Sequence, residues 1–229
     1  MRFESIEQMN SKLILCTRCP RIVKFRVEVA DRRSRFLGEK FWSKPVPGFG
    51  SIDSSLLILG LAPAATGGNR TGRVFTGDKS ASFLFSCLYA VGLSNKADST
   101  SRDDGLKLDQ LYTTAVLKCV PPGDKPLPDE LENCRDYREF EIENMKNLRV
   151  VLALGKIAFD TFKGYLKGKG FDVSEMQFKH GVGYRVGNIL FYGSYHPSPR
   201  NVNTGRLTRE QFINVLQEIK DNFLSRHHL

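Results

Sequence analysis

His196 is followed by Pro197, Ser198 and Pro199, and two prolines so close together hold the backbone in one turn and an imidazole in one orientation. An imidazole held this way can meet a developing negative charge or move a proton. The segment beyond it, RNVNTGR, places Arg200 and Arg206 among short polar residues suited to gripping a phosphodiester. Asp78, in Thr76-Gly77-Asp78, has two jobs open to it. It can cap the helix that starts behind it, worth about 1 kcal/mol, or it can hold a water and face a developing positive charge. Spacing alone favours the cap. Phe75 reads as a core residue by default, yet its glycine-rich neighbours leave it free to lie against a flat ligand. Asp124, in PPGDKP, reads as a turn residue. His180, His227 and His228 have no comparable setting.

Sulfur supplies the other candidate chemistry. The chain has five cysteines and no export signal, which argues against a disulfide framework. Cys87 falls on the apolar side of a predicted helix and reads as core. The remaining Cys16, Cys19, Cys119 and Cys134 match the ligand count of a structural zinc or a [4Fe–4S] cluster. One tight CxxC and a spread pair beside prolines lean toward iron–sulfur, with zinc still open.

These residues need elements to position them. The apolar run Leu56–Leu59 reads as a buried strand, and Asp78 opens a helix over residues 79–92. Between them lies GLAPAATGGNRTGRVFTGD, with five glycines, too long and polar for a plain connection. It lacks the Lys-Ser/Thr pair of a phosphate loop, having Arg73 and Val74 there, and it lacks GxGxxG. Further strands are expected at 111–117, 150–154 and 189–195, and helices at 1–15, 20–36, 129–147, 156–167 and 208–223. Asp129 is the expected cap of the 129–147 helix. The stretch 41–50 reads as an irregular loop, 94–105 as an exposed loop, and 168–188 as a basic hairpin. Alternating strands and helices predict an α/β fold, three-layer α/β/α with a central four-stranded parallel sheet. The glycine-rich loop, the CVPPGDKP turn and the HPSP turn would then all leave carboxyl ends of strands, where open α/β sheets bind ligands.

Composition sets the bounds. The 229 residues suit a single domain, here 1–229, with an N-terminal arm of about 1–36 carrying the CxxC. A net charge of +9 suits a polyanionic partner, most often nucleic acid. No apolar run approaches a membrane span and no signal-peptide core opens the chain, so an intracellular, cytoplasmic protein without a membrane partner is expected.

Four strings taken together, GLAPAATGGNRTGRVFTGD, the CxxC with its distant partners, KCVPPGDKP and GSYHPSPRNVNTGRLT, resemble the family 5 (B-type) uracil-DNA glycosylases in the same order across nearly the whole chain. The resemblance implies an α/β/α glycosylase with a [4Fe–4S] cluster on Cys16, Cys19, Cys119 and Cys134, acting on uracil and other deaminated bases such as hypoxanthine and xanthine. It implies that Phe75 stacks on an everted base, Asp78 assists the attacking water and His196 meets the base carbonyl. Gly60, Ala62, Pro63, Ala64, Asp124 and Ser198 would line the substrate site, and Arg206 or Leu207 would insert into the distorted strand. Two positions depart from the family pattern: Thr66 stands where His is frequent, and Asp124 stands where an Asn reads the base edge. Ala62 and Ala64 stand where other glycosylase families carry a polar catalytic residue, so this motif offers no carboxylate before Asp78. The expected partner is DNA, duplex or single-stranded, bound by a monomer. The expected reaction is monofunctional hydrolysis of the N-glycosidic bond after base flipping. Competing expectations are a non-catalytic, metal-containing binder of damaged DNA and a Rossmann-like enzyme for a free nucleotide.

Overall fold

A computed structural model describes residues 3–31, 36 and 38–224. Its centre is a six-stranded sheet in the order β1-β3-β2-β4-β6-β5. The strands are β1 (Phe49–Gly50), β2 (Leu56–Gly60), β3 (Leu111–Ala115), β4 (Val150–Leu154), β5 (Gly183–Val186) and β6 (Ile189–Ser194). The inner four, β3, β2, β4 and β6, run parallel, as the sequence predicts. β2, β3 and β4 are buried at every residue, which is why they read as unbroken apolar or small-residue runs.

The sheet is mixed, however, because each edge gains an antiparallel strand. β1 lies inside the stretch expected to be an irregular loop, and its two residues pair with Tyr112 and Thr113. So short a strand leaves no periodicity to read. β5 lies inside the expected 168–188 hairpin but pairs with β6 beyond it, so the hairpin begins late in that segment and ends in the next strand.

Alternation along each strand sends side chains to two helical layers. Leu56 and Ile58 join Leu84, Phe85 and Leu88 of α4 (Lys79–Ala90) and Phe212 and Leu216 of α9 (Arg209–Ile219). Leu57 and Leu59 face the other side, with Ile142 of α6 (Arg135–Asn144) and Phe159 and Phe162 of α7 (Lys156–Gly168). The layers are therefore α/β/α. A third cluster joins Met9 and Leu13 of α1 (Ile6–Leu13) and Ile22 of α2 (Pro20–Asp31) to Leu117, Cys134 and Tyr137. Residues 32–35 of the expected 20–36 helix, and the terminal His227 and His228, lie outside the described residues. Cys87 is fully buried in the α4 layer.

Two boundaries differ from the sequence reading. The expected 129–147 helix is two helices, α5 (Pro128–Asn133) and α6, meeting at Cys134. Its start is held by Pro128 in the first turn and by the Leu127 N–H donating to Glu130 at 2.7 Å, so Asp129 is not the cap. The 94–105 stretch is not simply exposed: Ser94 and Ser99 are buried, and Asp104 pairs with Arg73. Two short helices were not expected, α3 (Gly68–Thr71) within the glycine-rich loop and α8 (Pro199–Asn203) after the HPSP turn. Among the described residues no helix is long and apolar enough to cross a membrane.

Candidate active site at the carboxyl edge of the sheet

The three unusual loops do leave carboxyl ends of parallel strands, β2, β3 and β6. The first two are stitched together, with the Val116 N–H donating to Gly60 O at 2.9 Å and the Leu117 N–H to Leu61 O at 3.0 Å. The third leaves β6, one strand beyond β4.

Phe75 sits in the left-handed backbone region at φ +49°, a conformation that costs a non-glycine residue about 1–2 kcal/mol. Its ring lies against the last residue of β2: a Cβ at Gly60 would fall 2.6 Å from Phe75 Cζ. Glycine here is what lets an aromatic face approach the strand end. Phe75 is half-buried, with its packed side on the core and the remainder free.

Asp78 is the helix cap: its Oδ1 accepts from the Ser80 and Ala81 N–H groups at 2.9 and 3.0 Å. Oδ2 is turned toward Gly67, where a Cβ would come within 1.9 Å of it. The two roles open in the sequence are thus compatible, one per oxygen. Burial raises the Asp78 pKa; the capping N–H groups and Arg70 oppose it, and the nearby Asp124 carboxyl adds to it. Asp78 shares a cleft with Ala64, Thr66, Lys79 and, from the third loop, Pro199.

His196 is half-buried at the end of the turn, its Cβ 3.6 Å from where a Cβ of Gly155 would stand. Its carbonyl accepts from the Ser198 N–H and from Asn201 Nδ2, both at 2.8 Å, and Ser198 Oγ caps α8. The turn is therefore locked, whereas the ring forms no hydrogen bond with the described residues. Burial pushes the imidazole pKa down to about 4, so it is neutral across the physiological range. Tyr195, just before it, is stacked between His180 (ring centroids 5.3 Å apart, 9° between planes) and Arg206 (4.4 Å to the centroid). His180 thus has a setting that the sequence did not disclose.

The other expected site residues are distributed less uniformly. Ala64 O accepts the Gly67 and Asn69 N–H groups, and Pro63 packs under Gly68. Ala62 packs on the cluster around Leu117 and Cys119 rather than on the cleft with Asp78. Asp124 is exposed at φ +57° in the turn Pro122–Asp124. Leu207 must be corrected: it is fully buried among the α4 and α9 side chains, so it anchors the core and does not stand free to insert into a strand. Arg206 is exposed.

Arg73 explains why the glycine-rich loop is not a phosphate loop. Its guanidinium grips Asp104 at 2.6 and 2.9 Å and donates to Thr76 Oγ1 and Ser99 Oγ. Burial would raise the Asp104 pKa, but Arg73 and the Leu106, Thr100 and Ser101 N–H groups hold it well below the usual carboxylate range. Arg70 braces the same loop through Thr66 O and Gly77 O. Nothing in the sequence connects Arg73 with an acid 31 positions away.

The four candidate sulfur ligands line one apolar cavity with Leu13, Ile22 and Leu117. Arg26 donates to Cys119 Sγ at 3.2 Å, the Lys118 N–H to Cys134 Sγ at 3.3 Å and Asn133 Nδ2 to Cys19 Sγ at 3.7 Å. Burial raises the Cys119 thiol to about 12 and the Cys134 thiol to about 11.

The model of the Uracil DNA glycosylase superfamily matches residues 47–220. The chain is 45% identical over 215 residues to a type-5 uracil-DNA glycosylase of Thermus thermophilus, covering 93% of this chain and 96% of that protein. A type-5 uracil-DNA glycosylase of Pyrobaculum aerophilum is 44% identical over 207 residues, covering 90% and 88%. The chain belongs to the type-5 uracil-DNA glycosylase family. More distantly, a type-4 uracil-DNA glycosylase of Archaeoglobus fulgidus is 30% identical over 139 residues, covering 56% of this chain and 62% of that protein. The family match spans all six strands and the three loops, while the CxxC arm lies ahead of it and is reached by the whole-chain relatives.

Proposed function

We propose that this chain is a monofunctional DNA glycosylase that everts a deaminated base, uracil foremost and hypoxanthine and xanthine besides, and hydrolyses its N-glycosidic bond. One observation carries this reading. Phe75, Asp78 and His196, from two separate loops, each rest against a glycine, Gly60, Gly67 and Gly155, at the carboxyl edge of the parallel strands. A flat ring laid on Phe75 would call on the His196 imidazole for its carbonyl oxygen and on the Asp78 carboxylate for a water.

The chemistry follows from those groups. As the bond lengthens, negative charge gathers on the base and positive charge on the sugar. The neutral His196 ring can donate an N–H to the base oxygen, and with no hydrogen-bond partner among the described residues that donor is uncommitted. Asp78 Oδ2 can align water and offset the sugar charge. Lys118, buried at the end of β3, is committed to Glu141 and Thr114 and is no candidate amine nucleophile. Hydrolysis without strand cleavage is the proposed outcome. The test is a duplex bearing one uracil, incubated and then treated with alkali. An alkali-labile site supports the reading, whereas an intact strand on uracil, hypoxanthine and xanthine alike, with salt-sensitive binding retained, identifies a binder instead.

Asp124 bears on base choice. An ionised carboxylate only accepts hydrogen bonds, and the uracil N3–H is flanked by two acceptor oxygens. Hypoxanthine presents N1–H beside a C–H, which a carboxylate tolerates. Asp124→Asn is expected to raise the ratio of uracil to hypoxanthine excision by roughly tenfold. Single-turnover rates on the two bases in matched duplexes check it; an unchanged ratio removes Asp124 from the base edge.

The four cysteines suit an iron–sulfur cluster. Apolar walls, three N–H donors aimed at sulfur and four thiols around one cavity fit a thiolate-held group. One tight pair, Cys16 and Cys19, and one spread pair, Cys119 and Cys134, lean toward a cluster over zinc. When bound, the group would cross-link the N-terminal arm to α5 and the turn after β3. Cys16→Ser or Cys134→Ser is expected to lower the melting temperature by roughly 10 °C while leaving base preference unchanged. Iron analysis, absorbance near 400 nm and a thermal melt check it.

A further inference from the structure

A second cleft opens at the opposite edge of the sheet, where the parallel strands begin. It is lined by Lys146, Arg149 and Arg185 with Asn147, Asn188 and Asn222, and no Asp or Glu is among its lining residues. Arg149 directly precedes β4 and Arg185 lies on β5, and the two flank Leu190 of β6, which pairs with Val150 on one side and Arg185 on the other. The Arg149 backbone is fixed twice, its N–H on Ser55 O and its carbonyl under the Leu190 N–H, each at 2.8 Å. Both guanidinium groups therefore spring from rigid sheet positions about 10 Å apart, two strand spacings. Neither forms a hydrogen bond or ion pair with the described residues, and the Lys146 ammonium donates to the Glu143 carbonyl. The acids next to the cleft in the chain are turned elsewhere, Glu143 onto Lys169 and Asp221 onto Gln217.

A concavity with three exposed cations, two amides, Asn188 and Asn222, and no acid in its lining has the chemistry of a phosphate-backbone site, while Asn147 Nδ2 is given to the Asp53 carbonyl at 3.0 Å. The cations are exposed and spread, so they suit successive phosphates of a polymer, each released counterion adding to affinity, better than the tight enclosure of one phosphate. We propose that this cleft binds the phosphodiester backbone of a second DNA segment, distinct from the one at the carboxyl edge. The parallel strands separate the two clefts, so one straight duplex does not occupy both. The protein would bridge two segments, which assists transfer between them during a search.

The inference concerns binding and stands whether or not the base-excision reading holds. Its test uses two undamaged duplexes, one immobilised and one fluorescent. Wild-type protein is expected to carry the second duplex onto the first with a steep salt dependence. Arg149→Glu with Arg185→Glu should abolish this capture, leaving binding of the first duplex, excision from a short uracil duplex and the melting curve unchanged. Arg149→Lys with Arg185→Lys keeps the charge and should retain most of it. The proposal is overturned if wild type holds one duplex per protein at low salt, or if the Glu variant still bridges. It is equally overturned if inorganic phosphate or a mononucleotide binds the cleft as tightly as duplex does, since the site would then serve a small anion.

Discussion

His196→Ala is expected to slow single-turnover excision of uracil by 10²- to 10³-fold, the usual cost of one preorganised donor at a developing anion, with little change in DNA affinity. On this proposal the ring would contribute through position rather than charge. Its turn is locked by two hydrogen bonds to the His196 carbonyl, and burial holds the pKa near 4. The activity profile should therefore stay flat through neutral pH on account of this group and change only in acid. Stability responds in the same window. The native pKa lies below the unfolded value of about 6.5, so this term is fully present above about pH 6.5 and is lost as the pH falls toward 4. His196→Asn, which keeps an N–H donor, should recover part of the rate. A rate loss below threefold for His196→Ala would remove the imidazole from the chemistry.

The largest stability effect is expected inside the sheet. Lys118 and Glu141 are both 0% exposed and form an ion pair between the end of β3 and α6. Glu141 also accepts from Tyr112 OH at 3.1 Å and from Thr114 Oγ1 at 2.9 Å. Lys118→Met leaves that carboxylate buried without its cation, a change that costs about 3–5 kcal/mol, or roughly 10 °C in a chain of this size. Removing both charges together, as Lys118→Met with Glu141→Leu, should return much of the loss, because an apolar pair carries no desolvation penalty. Thermal melts of the two single variants and the double variant measure the coupling. If Lys118→Met melts within 2 °C of wild type, the charged pair is not what holds this corner. The Lys118 backbone also donates its N–H to Cys134 Sγ and accepts the Val46 N–H, and both bonds survive Lys118→Met because main-chain atoms make them.

Local patterning reached far in this chain. Strands β2, β4 and β6 were legible because central parallel strands are apolar on both faces, and α4 because Asp78 announces its cap. The edge strands were not: β1 has two residues, and β5 alternates weakly beside glycines. Leu207 misled because a leucine behind an arginine in a polar segment carries no mark of which way it points. The Leu207 N–H on Asn201 O and the packing of α9 turn it inward.

By itself the sequence determined the strand–helix alternation and the three loops able to carry chemistry, since each depends on neighbours within a few positions, and the candidate thiols and the basic balance, which need only a count. Tertiary structure alone decided why Arg73 serves the scaffold instead of a phosphate, how Lys118 is neutralised and where a second cationic cleft lies. Those outcomes rest on pairings across 23 to 31 positions of chain or between strands. Such contacts form only once hydrophobic burial has closed the intervening loops, and no local pattern encodes them.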